Sequence, residues 1–333
     1  MKAFAMRDFD HPPQLIDLPA PQPGPGQVLV RVHATSVNPV DQLIACGFFR
    51  TVQEHRFPAI LGRDLAGVVE GHGEGVTRLA TGDRVYGFVK RPHIGDGTFC
   101  EYVVVPQDMF VGPVPSALTL PQAAVLAQSG ITALECVDAV PCGPGQVVLV
   151  NGATGGVGSY AVQIAAARGA VVVATARTAQ QKDFVLSLGA TAVVDWTAGD
   201  LVKQVRAVAP DGVDGYVDLV KHAPSMQIGV GEDEAHRRFA DLCRGLLRPG
   251  GRASSVTNGG DPQLLGDIVC TNVHSTPSPQ SIARLTQLVD DGSVTAPIQD
   301  TFSFDDIAAA FDQLATGPAM GKISVVMDPG STL

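Results

Sequence analysis

Residues 147–158 read Val-Val-Leu-Val-Asn-Gly-Ala-Thr-Gly-Gly-Val-Gly. An apolar run ends in a glycine cluster, and an alanine-rich apolar segment follows over 159–170. That order predicts a strand, a tight turn and the start of a helix. Backbone N–H groups at such a turn, with the positive end of the helix dipole, make a site for a pyrophosphate. Gly152, Gly155 and Gly158 are spaced three apart with Gly156 extra, a departure from strict Gly-x-Gly-x-x-Gly. A glycine motif alone is a weak signal. Here a strand precedes it, a helix follows, and a second apolar run at 171–175 completes a βαβ unit. Gly152, Ala153, Thr154, Gly155, Gly156, Val157 and Gly158 are therefore read as dinucleotide-binding residues.

The end of the second strand selects the cofactor. An NAD site usually places Asp or Glu there for the ribose 2′-hydroxyl. This chain has Ala174-Thr175-Ala176-Arg177-Thr178, with no acid. The small residues Thr175 and Ala176 leave room for a 2′-phosphate. Arg177 can form charge-assisted hydrogen bonds to it, and Lys182 is close in sequence. The reading is NADPH, against the alternative that Arg177 is a solvated loop cation. Trp196 follows Val193-Val194-Asp195 at the end of a third apolar run, where it either flanks the adenine or simply packs.

Around this unit, apolar runs and helix-like segments alternate. Strands are expected at 147–151, 171–175, 192–194, 215–219 and 252–256, and helices reach 168 and 188, start at 200 and span 232–247. Alternation at this spacing argues for a doubly wound parallel sheet. One alanine-rich helix is expected over 121–140, and a further strand over 267–274. The first third is β-rich instead. Strand candidates at 27–37, 65–70, 84–88 and 99–105 are separated by Gly-rich turns, the pattern of a partly open barrel. After Pro277, helices at 281–289 and 304–314 and strands at 298–302 and 322–327 complete the chain. The expected division is 1–121 with 276–333, and 122–275.

The chain has 333 residues, 45% of them hydrophobic, enough for one large or two medium cores. Its formal charge of −10 argues against a broad nucleic-acid-binding face. No apolar run reaches about 18 residues, so no membrane span is expected. The N-terminus lacks the apolar core of a secretion signal. Six cysteines are scattered without a Cys-x-x-Cys pair, which suggests reduced thiols and a cytoplasmic location.

Further motifs make a specific match. They are Val32-His33-Ala34-Thr35-Ser36-Val37-Asn38-Pro39-Val40-Asp41, Leu61-Gly62-Arg63-Asp64-Leu65-Ala66-Gly67, Gly82-Asp83-Arg84-Val85-Tyr86-Gly87, Gly97-Thr98-Phe99-Cys100-Glu101-Tyr102 and Leu247-Arg248-Pro249-Gly250-Gly251-Arg252. With the glycine turn, they make the chain resemble the zinc-independent quinone oxidoreductase-like branch of the medium-chain dehydrogenase/reductase superfamily, over almost its whole length. The resemblance implies a GroES-like β-barrel catalytic domain, a Rossmann domain and a C-terminal return to the first. It also implies a homodimer formed through the sheet-edge strand, here 268–274.

Zinc-dependent members need a Cys, a His-Glu pair and a further Cys or Asp. By motif, Asn38 stands at the first position, Arg63-Asp64 replaces His-Glu, and Gln128 stands near the last. Such a set is wrong for zinc, so no metal is expected. The four-cysteine structural lobe of those relatives is also missing.

The expected reaction is then hydride transfer from NADPH to a quinone or a small electron-poor carbonyl compound or enone. Asn38 is the first candidate for a polar group at the reacting centre; a turn residue before Pro39 is the alternative. Thr132 is the family's position near the nicotinamide, and Lys322 starts the last strand, either reaching the cofactor or solvated. Phe49 stands where many relatives have a tyrosine able to donate a proton, and a phenyl ring cannot. Phe48 and Phe49, with Gln128, are expected to wall the substrate pocket, along with loops at 48–57, 90–96 and 257–265. An insertion at about 220–231 brings Lys221 and His222 either to the site or to a surface loop. An enoyl-thioester reductase and a non-catalytic NADPH-binding protein remain the alternative functions.

Overall fold

The computed structural model describes residues 1–221 and 231–327, apart from the side chain of Glu232. His222 and nearly all of the expected insertion lie outside the described residues. The chain divides into two compact units. The first comprises Met1–Ile131, Thr276–Gly292 and Ala296–Leu333, the second Thr132–Ser275 and Ser293–Thr295. The first unit runs past Pro121 because the short helix Leu120–Ala124 packs on the strands Gln27–Ser36 and Asp64–His72.

The second unit is built on a six-stranded, all-parallel sheet. Its order is Ala192–Val194, Val171–Thr175, Val147–Asn151, Val213–Asp218, Leu247–Ser255, Val269–Asn272. Counted along the chain this is 3-2-1-4-5-6, the doubly wound order whose crevice lies beyond the carboxyl ends of the strands. Val213–Asp218 is buried at every position, as a central parallel strand covered on both faces must be. Leu149, Val173, Tyr216, Phe239 and Leu246 form the core on one face. Val269–Asn272 forms one edge, with Val269 exposed.

The first unit holds two sheets. The larger has Ile298–Ser303, Lys322–Val326, Gln27–Ser36, Asp64–His72, Arg84–Phe88 and Val111–Pro113 in order, with Tyr102–Pro106 also on Gln27–Ser36. The last strand, Lys322–Val326, lies antiparallel to Gln27–Ser36 through Ser324 opposite Ser36. That pairing carries the C-terminal segment back into the first unit and sets Lys322 near the residues that follow Ser36. The smaller sheet joins Gln14–Asp17, Lys2–Met6, Glu54–Ile60 and His93–Asp96. Together they give the barrel-like β architecture expected of the catalytic domain.

Several local expectations need correction. The alanine-rich segment is two helices, Leu120–Ala124 and Ala127–Asp138, because the chain turns at Val125 and Leu126. The loops expected at 48–57 and 90–96 contribute to the strands Glu54–Ile60 and His93–Asp96. The segment 257–265 ends in a short helix, Pro262–Leu265, capped by Asp261. The strand expected at 252–256 begins at Leu247, and a register shift between Val213 and Gly215 accommodates its glycines. No described helix is long and apolar enough to cross a membrane, and all six cysteines are unpaired.

Candidate functional site

The strand Val147–Asn151 delivers the chain into the glycine turn of the second unit. Gly152 has φ +86°, a left-handed conformation that favours glycine. Its N–H donates to Thr175 Oγ1 at 2.9 Å, which ties the turn to the end of the neighbouring strand. A Cβ on Gly158 would lie 2.1 Å from Gly152 O, so the helix can approach the turn this closely only with glycine there. Asn151 is held by Asp218, through Nδ2 to Oδ1 at 2.9 Å, at the carboxyl ends of two adjacent strands.

The helix Gly156–Ala167 begins at Gly155 with no side-chain cap. The next two helices of this unit are capped, by Thr178 accepting from Gln181 N and by Asp200 accepting from Lys203 N. Among the described residues no side chain caps this first turn, so the N–H groups of Gly156, Val157 and Gly158 suit an external acceptor such as an anionic pyrophosphate. Ala153 is buried under the turn, and Thr154 is half-buried. These residues fit a dinucleotide.

Arg177 follows the strand Val171–Thr175 and is exposed. Its backbone N–H donates to Gln181 Oε1 at 3.2 Å, while its guanidinium has no partner among the described residues. Lys182 Nζ stands 3.7 Å from Asp195 Oδ2, and Trp196 next to it is 54% exposed. Thr132 Oγ1 accepts a hydrogen bond from Ser275 Oγ at 2.9 Å, and Ser275 Oγ lies 2.8 Å from Glu135 Oε2. Ser275 and Glu135 carry no motif signal, since their pairing spans most of the unit.

In the first unit, the sequence candidates meet in a buried charged cluster. Asn38 caps the helix Pro39–Ala45 and is 2% exposed. Its N–H donates to Asp41 Oδ2 at 2.8 Å. Its side chain is not used as a cap: Nδ2 donates to Asp64 Oδ2 at 2.9 Å, and Oδ1 accepts from Lys322 Nζ at 2.5 Å. Both ends of the amide are therefore engaged inside the unit. Asp64 is fully buried; its Oδ2 also accepts from Ser36 Oγ at 2.6 Å, and its Oδ1 from Gln128 N at 2.8 Å. Lys322 is 4% exposed and so is not a solvated strand end. Arg63, half-buried, adds a second cation beside Asp41 and Asp64. Phe48 and Phe49 meet edge to face with centroids 5.1 Å apart, and Phe49 leans on the core around Ile44 and Phe304.

Asp41 is the least satisfied member of the cluster. It is fully buried, and Oδ1 has no hydrogen-bond partner. Burial pushes its carboxyl up to about 7, against the pull of Arg63. The folded form therefore holds this proton more tightly than the unfolded chain. Its contribution to stability is complete below the ordinary value of 3.8 and is lost as pH rises toward about 7. Asp41→Asn keeps an oxygen for Asn38 N and cannot ionise. Urea unfolding should show this variant gaining on the wild type by about 1–4 kcal/mol between roughly pH 4 and pH 8. A difference that stays flat with pH would show that Asp41 holds no extra proton.

Comparison with known proteins agrees with this architecture. Residues 24–116 match the alcohol dehydrogenase GroES-like domain family, and residues 156–230 match the zinc-binding dehydrogenase family. The chain is 36% identical to the chloroplast envelope quinone oxidoreductase homolog of Arabidopsis thaliana over 326 residues, 93% of this chain and 92% of the relative. It is 30% identical to the human mitochondrial NAD(P)H oxidoreductase RTN4IP1 over 330 residues, 90% of this chain and 81% of the relative. The solved quinone oxidoreductase of Coxiella burnetii superimposes with a TM-score of 0.83 at 25% identity, covering 98% of this chain and 99% of the other. With such relatives and a doubly wound sheet, a nicotinamide cofactor is implied. The chain belongs to the medium-chain dehydrogenase/reductase superfamily, in its quinone oxidoreductase-like branch, and is an oxidoreductase of that type.

Proposed function

We propose that this protein is a zinc-free, NADPH-dependent reductase that passes a hydride to a quinone or a small electron-poor carbonyl compound or enone. The observation that carries the reading is the glycine turn without a side-chain cap, beside an Arg177 whose guanidinium has no partner among the described residues, at the end of the adjacent strand. An acid at that strand end would repel a 2′-phosphate, whereas a free guanidinium binds it in a charge-assisted pair.

The metal-free part rests on donor chemistry. Zinc takes thiolate, imidazole or carboxylate ligands in a tetrahedral set. The residues at the corresponding positions do not fit it. Asn38 offers an amide oxygen already accepting from Lys322, Arg63 offers only donors, and Gln128 offers an amide. Among the described residues no three His, Cys, Asp or Glu side chains gather in a metal-holding group.

The bound dihydronicotinamide supplies the hydride. The chain's part is to bind and orient: N–H groups of Gly156 to Gly158 for the pyrophosphate, Arg177 and Lys182 for the 2′-phosphate, Thr132 for the nicotinamide side, Phe48 and Phe49 for a flat apolar substrate. Phe49 has no proton to give, which favours acceptors whose reduced form takes its proton from water. A quinone is such an acceptor: hydride to one oxygen and a solvent proton to the other yield the hydroquinone.

The test is NADPH oxidation against quinones, enones, aldehydes and enoyl thioesters, with NADH in parallel. Turnover of quinones or enones with NADPH preferred is the expected outcome. Turnover of enoyl thioesters alone, or of nothing, would replace the reading by an enoyl reductase or a binding protein. Arg177→Ala should raise KM for NADPH by about 10–100-fold, the loss of one charged pair, and move KM for NADH little. An equal change for both cofactors would remove Arg177 from phosphate recognition.

A further inference from the structure

The ammonium of Lys322 is an unusual charge to find inside a small β-rich unit. It is nearly inaccessible, and its neighbours come from two separate parts of the chain. Nζ donates to Asn38 Oδ1 at 2.5 Å and to Val37 O at 3.3 Å, and stands 3.8 Å from Asp64 Oδ2. Asp64 also binds Asn38 Nδ2 and the Gln128 N–H. Asn38, Asp64 and Gln128 are at, or next to, the positions where zinc-dependent relatives place metal ligands. Here Asn38 and Asp64 meet each other and Lys322, and the Gln128 N–H joins them at Asp64.

We propose that Lys322 is the internal counter-cation of this site, a positioning residue whose ammonium holds Asn38 and Asp64, which the motif match aligns at or next to zinc-ligand positions of metal-dependent relatives, in a fixed arrangement. A buried carboxylate needs a partner charge, and a chain without the metal must supply it covalently. An ammonium does so with directed N–H donors, which fix the Asn38 amide with its oxygen toward Lys322 and its nitrogen toward Asp64. The charged groups around the ammonium are Asp64 and Asp41, with Arg63 beside both carboxylates. Burial pulls the ammonium's affinity for its proton down, and the two carboxylates hold it up. The inference rests on the zinc-free reading above.

The experiment compares wild type, Lys322→Met, Asp64→Asn and the double variant by thermal unfolding from about pH 5.5 to 8.5, with metal content measured on the wild type. Methionine keeps the length of the side chain and removes its charge. Lys322→Met should unfold roughly 10 °C lower near neutral pH, with a deficit that widens as pH rises, because a buried carboxylate stripped of its ammonium partner is costly only when ionised. Adding Asp64→Asn to Lys322→Met should restore most of the midpoint. Should Lys322→Met fail to fold, recovery of folded protein in the double variant gives the same answer. A deficit that is flat with pH, or a double variant no better than Lys322→Met, would overturn the proposal and leave Lys322 a packing residue. A stoichiometric zinc in the wild type would instead overturn the zinc-free reading, so the two failures are separable.

Discussion

Gly158→Val is expected to abolish nicotinamide cofactor binding while leaving the first unit folded. A Cβ at position 158 would sit 2.1 Å from Gly152 O, 2.6 Å from Ala153 Cα and 2.8 Å from Ala153 C. All three atoms are backbone, so nothing flexible can yield. The turn must open or the helix Gly156–Ala167 must withdraw, and either change dismantles the row of N–H groups proposed to bind the pyrophosphate. The dissociation constant for NADPH, followed by its fluorescence, should rise by at least about 100-fold, nearly 3 kcal/mol. Gly155→Ala is the control, since a Cβ there finds only Gly152 O at an ordinary 3.5 Å. That variant should fold with an intact turn. If Gly158→Val bound NADPH within about threefold of wild type, the close approach of helix and turn would have no bearing on the cofactor.

The second large effect concerns Asp64. Asp64→Asn leaves the Lys322 ammonium buried without its nearest carboxylate, while keeping the shape of the side chain. Removing one member of a buried ion pair costs about 3–5 kcal/mol, and Asp41 nearby argues for the lower end. Urea unfolding at neutral pH gives the number. A loss below about 1 kcal/mol would place this pair with exposed ion pairs, contrary to its burial. The same variant in a double-mutant cycle with Lys322→Met isolates the coupling between the two charges.

These two sites differ in how far the sequence reveals them. The glycine turn is legible because its parts are local: an apolar run, glycines at fixed spacing and an apolar helix lie within one segment. The parallel sheet is legible for the same reason, and the alternation gave nearly every strand of the second unit. Expectations failed where local signals conflict. Pro58 lies within Glu54–Ile60 and Gly95 within His93–Asp96, so both strands read as loop. Val125 and Leu126 interrupt an alanine-rich helix with no glycine or proline to mark the break.

Lys322 shows the other limit. Periodicity places it at the start of a strand but cannot say whether its head meets water or a carboxylate. Its partners, Asn38 and Asp64, lie near the opposite end of the chain, brought within reach by the antiparallel pairing of Lys322–Val326 with Gln27–Ser36. Sequence reading leaves Lys322 to the cofactor or to solvent, while the fold sets it between Asn38 and Asp64. Asp41 shows the same limit, for its acidity depends on burial that no motif records.

The most direct test of the account is NADPH oxidation by a quinone, measured on protein dialysed against a strong chelator and analysed for metal. The expected rate is unchanged by chelation, in protein carrying well under about one zinc per chain. A rate lost on chelation and restored by added zinc would contradict it, returning the role assigned to Lys322 to a metal ion.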